Sequence, residues 1–230
     1  MKKIDQIVTF LESSGSPEAV AGMAKYGITG NKIFGVSIPK LRLMGRELGH
    51  DHELSLNLWA YPSRETRILA ALTGIPDHMT GELMEEWVLE FDSWEVCDQV
   101  IMNLFEKTRF AYLKAASWSS REEEFVKRAG FVLMARLAVS DKKATDEKFK
   151  DFFPYILKGA VDNRVYVRKG VNWAVRQIGK RNLELNKYSV KQAEKILEID
   201  SPAARWIASD ALRELRSESV LTRLEGRAKT

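Results

Sequence analysis

The stretch Val165-Tyr166-Val167-Arg168-Lys169-Gly170-Val171-Asn172-Trp173-Ala174 sets basic residues just ahead of small residues and an apolar run. Three other stretches are built the same way. They are Ser63-Arg64-Glu65-Thr66-Arg67-Ile68-Leu69-Ala70-Ala71-Leu72, Glu124-Phe125-Val126-Lys127-Arg128-Ala129-Gly130-Phe131-Val132-Leu133 and Ala203-Ala204-Arg205-Trp206-Ile207-Ala208-Ser209-Asp210-Ala211-Leu212. Arg128 and Lys169 stand 41 positions apart, and Lys169 and Ala208 stand 39 apart. About 40 residues per helix pair is the HEAT or armadillo period. Small residues such as Ala129-Gly130 let neighbouring helices pack closely. An ordinary helical bundle with chance similarity is the competing reading. The expected fold is all-α: a HEAT-like repeat solenoid of antiparallel helix pairs, with a concave basic groove lined by equivalent helices.

Hydrophobic spacing is helical along nearly the whole chain. Leu41, Met44 and Leu48 recur at i, i+3 and i+7, and Leu83, Trp87 and Val88 at i, i+4 and i+5. Phe131, Met134, Ala135 and Ala138 continue the pattern, as do Val171, Val175 and Ile178. Period-two alternation with turn dipeptides is scarce. Helix starts are expected at Ser16, Ser63, Ser119 and Ser201, and helix stops at Gly49 and Gly159. Residues 1–230 read as a single HEAT-like repeat domain, with 218–230 as a frayed basic tail.

The chain of 230 residues is 45% hydrophobic, ample for a packed core. No apolar run is long enough to cross a bilayer. The start lacks the apolar region and small-residue cleavage site of a secretory signal. A cytoplasmic protein, nucleoid-associated when bound to DNA, is the expectation. A single cysteine, Cys97, forms no internal disulfide and fits a reducing compartment. His50 and His52 would lie about 200° apart on a helix, so the histidines read as exposed loop residues and not as metal ligands. Charge is unevenly spread. Residues 1–120 carry 12 Lys+Arg against 16 Asp+Glu, whereas residues 121–230 carry 24 against 16. The basic second half suits a polyanionic partner.

The segment Phe91-Asp92-Ser93-Trp94-Glu95-Val96-Cys97-Asp98 carries the most chemistry. Trp94 and Asp98 are four apart and share one helix face. A ring beside a carboxylate favours a cation, and Ser93 is placed to cap the helix. A buried tryptophan with an aspartate near the helix start explains the same residues without chemistry. In a regular stack, equivalent positions of successive repeats line up. Trp94, Asp98, Arg128 and Trp173 are therefore expected to converge on one groove. Arg136, Arg168, Lys169 and Arg176 would add charge for a phosphate backbone.

These residues resemble a known family, the DNA alkylation repair enzymes of the AlkD type, which are HEAT-like-repeat DNA glycosylases. The resemblance spans roughly residues 18–215. It rests on Met23-Ala24-Lys25-Tyr26, Phe34-Gly35-Val36-Ser37-Ile38-Pro39, Ser93-Trp94-Glu95-Val96-Cys97-Asp98, Lys127-Arg128-Ala129 and Trp173-Ala174-Val175-Arg176. It implies that Asp98 is the catalytic aspartate, that Trp94 and Trp173 are the site tryptophans and that Arg128 is the site arginine. It implies that Tyr26 and Arg176 contact the DNA backbone. Ser37, in the N-terminal DNA-contacting motif, departs from the family in being a shorter polar side chain. Some members lack the aspartate and do not excise bases; all four site positions are kept here.

The chemistry needs such residues. Loss of a cationic N3- or N7-alkylated purine leaves positive charge on the deoxyribose. A carboxylate beneath the sugar stabilises that charge and orients water. Tryptophan faces attract cations by about 0.5–2 kcal/mol each. Arg128 would grip a phosphate and keep Asp98 ionised. The expected partner is double-stranded DNA containing alkylated bases, bound by a monomer with no cofactor, no metal and no membrane. The rival readings are a non-catalytic binder of damaged or branched DNA and a HEAT-type protein–protein scaffold. A thiol enzyme using Cys97 is a more remote one, since no histidine lies near it in sequence.

Overall fold

The computed structural model describes residues 2–30 and 32–228, and among them every regular element is helical. The chain forms two compact units, Met1–Phe110 and Ala111–Thr230.

The first unit contains α1 (Lys2–Ser14), α2 (Pro17–Ala24), α3 (Ile38–Leu48), α4 (His52–Ala60), α5 (Arg64–Thr73), α6 (Gly81–Leu89) and α7 (Trp94–Asn103). Its centre is α5, against which α3, α4 and α7 all pack. The Ser63 side chain starts α5 by accepting from Thr66 N at 3.2 Å. Every residue from Arg64 to Ala71 is then buried. Ser55 of α4 donates to Ala70 O at 2.7 Å, tying the two helices through one of the few polar groups between them. Trp59 of α4 stacks on Trp87 of α6 at 4.1 Å with the rings 3° from parallel. Such a pair contributes about 0.5–1.5 kcal/mol beyond its area burial.

The second unit contains α8 (Ala111–Trp118), α9 (Glu124–Ser140), α10 (Asp146–Lys150), α11 (Phe153–Gly159), α12 (Val165–Gly179), α13 (Leu183–Leu197), α14 (Pro202–Leu215) and α15 (Glu218–Ala228). Helix pairing follows the repeat: α8 packs on α9, α11 on α12 and α13 on α14, while α9, α12 and α14 stack in succession. The four repeated stretches thus fall on α5, α9, α12 and α14. Gly130 explains the close pairing of α8 with α9. A Cβ built there would lie 2.3 Å from Ser119 N and 2.8 Å from Ser119 Cα, both immobile backbone.

The basic residue of each repeat has a structural job. Arg67 donates to Glu90 O at 2.5 Å. Arg128 donates to Tyr166 O at 2.8 Å. Arg168 lies 5.1 Å over the Trp206 ring. Each reaches forward in the chain to the repeat that follows, so the pattern marks repeat-to-repeat contacts as well as surface charge.

Three expectations are corrected. Ser119 starts no helix: it follows α8, its hydroxyl donates to Ala116 O at 2.7 Å, and α9 begins at Glu124. Residues 218–228 are not frayed but form α15, anchored by buried Val220 and Leu224, and residues 229–230 lie outside the described residues. His52 is no loop residue. It opens α4, half-buried, edge-on to His78 at 5.3 Å, and burial followed by the neighbouring imidazole lowers its pKa. Ser16, Ser63 and Ser201 cap helices and Gly49 closes α3, as the spacing predicts.

Gly130→Ala will destabilise the protein by about 2 kcal/mol, a melting-temperature loss of roughly 4–8 °C, because the added methyl meets backbone. Gly170→Ala, whose Cβ would meet nothing closer than 3.4 Å, will cost little or stabilise α12. Equal losses for the two variants in calorimetry would show that close approach is not what Gly130 supplies.

Candidate nucleic-acid interface

In the first unit the site is organised from a buried carboxylate outward. Glu65, wholly buried, accepts from Phe34 N at 3.0 Å, Gly35 N at 3.0 Å and Val36 N at 3.2 Å. Arg64 donates to Glu65 Oε1 at 2.8 Å, to Val36 O at 2.9 Å and, through Nε, to Glu95 Oε2 at 2.6 Å. One ion-paired cluster therefore fixes both the Phe34–Pro39 segment and the first turn of α7. Gly35 makes the segment possible: its φ of +86° is a glycine conformation, and a Cβ would lie 2.6 Å from Ser16 O.

On α7, the Ser93 side chain accepts from Val96 N at 3.4 Å and sets the helix start. Trp94 is the first helical residue and half-buried, and its indole N–H donates to Tyr26 O at 2.9 Å. Asp98 follows one turn later with 8% exposure. Tyr26 presents a side chain 76% exposed. Ser37 is exposed at the N-cap position of α3, and its hydroxyl makes no capping bond. Tyr26, Trp94 and Asp98 are thus brought together in this unit.

The second unit holds Arg128, Arg136, Arg168, Lys169, Trp173 and Arg176. Lys169 is exposed and Trp173 half-buried, four apart on α12 and hence on one face. Arg136 is half-buried on α9. Arg128 is 5% exposed and hydrogen-bonded to Tyr166 O. Arg168 stacks on Trp206, which is 39% exposed. Arg176 is engaged internally. It pairs with Glu214, with Asp210 at 3.3 Å and with Asn172 Oδ1 at 3.2 Å, so a phosphate there meets two carboxylates first. The starts of α9 and α12 are joined by Asp162, which takes Arg164 at 2.6 Å and Lys127 at 3.2 Å. Burial pushes the Asp162 carboxyl up, but hydrogen bonds from Arg164 and Lys127 outweigh it and bring it down to about 2.

Sequence reasoning missed the Arg64–Glu65–Glu95 cluster, reading Arg64 only as part of a repeat. The available signal was Arg64-Glu65-Thr66-Arg67 placed directly before an apolar run, inside a helix with no polar face left to solvate it. Cys97 is fully buried, which leaves no exposed thiol for nucleophilic chemistry. Among the described residues no group of three or more His, Cys, Asp or Glu is placed to hold a metal. No described helix is long and apolar enough to cross a membrane.

The paired helices, stacked by repeat, define a HEAT-like repeat protein. A solved structure described as "A new family of proteins related to the HEAT-like repeat DNA glycosylases with affinity for branched DNA structures" matches with a TM-score of 0.74. The match covers 91% of this chain and 94% of that one at 16% identity, a likeness of fold. An engineered protein aligns at 12% identity over 76% of this chain and 90% of its own, with a TM-score of 0.40. Comparison with curated protein sequences gives no match. The family model for DNA alkylation repair enzymes matches residues 7–215. The chain belongs to the DNA alkylation repair enzyme family.

Glu65→Gln will cost about 3 kcal/mol in urea unfolding, because it leaves the buried Arg64 guanidinium without one of its two carboxylates. A loss below 1 kcal/mol would mean that the cluster does not hold the unit together. The depressed Asp162 pKa makes a pH-dependent contribution. It is fully present above the unfolded value near pH 4 and is lost as pH falls toward 2. Asp162→Asn will therefore remove part of the acid dependence of stability in that window. A variant with the wild-type slope between pH 4 and 2 counts against the pairing.

Proposed function

We propose that this protein is a DNA glycosylase that hydrolyses the N-glycosidic bond of cationic N3- or N7-alkylated purines in double-stranded DNA. The observation that carries the reading is Asp98: a carboxylate almost wholly withdrawn from water, one helical turn from a tryptophan held by Tyr26 O. In low dielectric such a carboxylate stabilises a developing positive charge far better than in water. The C1′–N bond breaks with its electron pair passing to the cationic purine, which leaves neutral. Water adds to C1′ and loses a proton, giving an abasic sugar. Asp98 stabilises the oxocarbenium ion and orients the water. Trp94 and Trp173 offer ring faces to the cationic nucleotide.

Tyr26, Ser37, Arg128, Arg136, Arg168, Lys169 and Arg176 are assigned to the DNA backbone. Of these, Tyr26 and Lys169 have the exposure best suited to it, and Arg128 and Arg176 also serve internal contacts. The chain acts as a monomeric repeat domain without cofactor, in the cytoplasm and on the nucleoid when DNA-bound. Family membership supports the repair assignment. A second reading, a non-catalytic binder of branched DNA, is favoured by the affinity stated for the protein of similar fold.

Base release from duplex DNA carrying one N7-methylguanine separates them. Wild type will release the base, and Asp98→Asn will lower the single-turnover rate by about 100-fold or more with DNA affinity little changed. Near-full activity of Asp98→Asn would remove Asp98 from the chemistry. Release by neither protein, with strongly salt-sensitive binding intact, would leave the branched-DNA reading.

A further inference from the structure

Of the six tryptophans in the chain, Trp59, Trp87 and Trp118 are packed away at 5% exposure or less, and Trp94 and Trp173 are already assigned to the proposed site. Trp206 belongs to neither group. It lies in the first turns of α14 and is 39% exposed, where a tryptophan on an amphipathic helix ordinarily turns inward. Its chain neighbours Ala203, Ala204, Ile207 and Ala208 do turn inward.

One face of the ring is already covered. The Arg168 guanidinium lies 5.1 Å over it. Along the repeats the forward-reaching arginine otherwise ends on a carbonyl: Arg67 on Glu90 O and Arg128 on Tyr166 O. Arg168, forty residues after Arg128, ends on a ring instead. Its Nε is shut off from water and has no hydrogen-bond partner among the described residues. A stack that gives up a hydrogen bond is not needed to join the helices. Asn172 Nδ2 already donates to Ile207 O at 3.2 Å, and Arg176 pairs with Asp210 and Glu214. Holding α14 on α12 therefore does not explain why the ring is kept at the surface.

The surroundings indicate what would cover the other face. A protein partner needs a contiguous apolar patch of several hundred Å². On α14 the exposed residues about one turn either side of Trp206 are Pro202 and Ser209, with Arg205 beside it, and on α12 Lys169 follows Arg168. The ring is thus an isolated apolar spot in a polar and basic setting. Arg205 has Asp200 within 3.7 Å, both open to water, so the ring and not a surplus of charge singles the place out. Rings on which bases stack, beside cations that follow the backbone, are how single-stranded nucleic acid is held, and every base offers a face. In a paired duplex both faces of a base are covered by its neighbours, so only a base outside the stack reaches such a ring. Arg168 stands five residues before Trp173 on α12, about 7.5 Å along the helix, which puts the ring within a few nucleotides' reach of the proposed site.

We propose that Trp206, held from behind by Arg168, is a stacking platform for an unpaired nucleobase of bound DNA. The proposal rests on the DNA-binding part of the function given for this protein and not on base excision. Its test is full-chain binding to two undamaged duplexes of one sequence, the first fully paired and the second carrying a single unpaired 2-aminopurine, whose fluorescence falls when it stacks. Wild type should bind the second more tightly and quench it. Trp206→Ala should lose about 5- to 100-fold of that affinity, the worth of one stacked base, and stay within about twofold of wild type on the paired duplex. Trp206→Leu, which keeps apolar bulk without a flat ring, should lose as much, and Trp206→Phe should keep most of the affinity and the quenching.

Equal affinity of wild type for the two duplexes, or quenching that survives in Trp206→Leu, overturns the platform while leaving the DNA reading in place. So does a loss in Trp206→Leu that is equal on both duplexes, which would make the ring a structural residue or a contact to paired DNA. Self-association of wild type that Trp206→Leu abolishes, with binding to both duplexes unchanged, overturns it too and would mark a seat for a second copy. Wild type that binds neither duplex overturns both the platform and the DNA reading.

Discussion

Glu65 is a carboxylate with no contact with water, and the first unit is arranged around it. Burying such a charge costs several kcal/mol unless its lone pairs are satisfied. Three consecutive backbone N–H groups and the Arg64 guanidinium satisfy them. The requirement acts in both directions. The Phe34–Val36 segment has no helical partner for its own N–H groups, so it needs Glu65 as much as Glu65 needs it. Arg64 then carries the constraint on to Glu95, the second residue of α7. The orientation of Trp94 and the depth of Asp98 follow from where that first turn is held.

Arginine plays a comparable role along the repeats. A guanidinium offers five donors in a fixed fork, so it can satisfy a carbonyl at the start of the following repeat and still hold a carboxylate. Arg67 does both, with Glu90 O and Glu90 Oε2. Arg128 donates to Tyr166 O, and Arg181 to Ala138 O and Ala144 O. A good share of the basic residues that make the second half positive is therefore structural. Other basic residues, among them Lys142, Lys169 and Arg223, are exposed.

The repeat was legible in the sequence because its period comes from core packing. Small residues at Ala129-Gly130 and Gly170 lie where helices meet, and no other choice lets the backbones approach as Gly130 does. The caps at Ser16, Ser63 and Ser201 were legible for an equally local reason, a side-chain oxygen within reach of the third following N–H. Ser119 has the same composition around it but follows a helix and is held by Ala116 O, a distinction that depends on what precedes it. Long-range pairings left no such trace. Nothing in the spacing of Glu65 announces that its partners lie thirty residues earlier, or that Arg176 spends its charge on Asp210 and Glu214. The Trp94–Asp98 pair was visible because both residues sit on one helix; their burial and the Tyr26 bond were not.

The depth of Asp98 bears on which lesions such a site would serve. A carboxylate at 8% exposure acts on nearby positive charge more strongly than one in open water. A neutral purine leaves as an anion unless it is protonated, so it would gain little from Asp98 and Trp94. A purine alkylated at N3 or N7 carries its positive charge beforehand and departs neutral. The carboxylate and the ring faces then need only favour the charge that moves onto the sugar. On these grounds selectivity for cationic lesions would come from the charge the base already carries, which the carboxylate and ring faces of the proposed site need only complement.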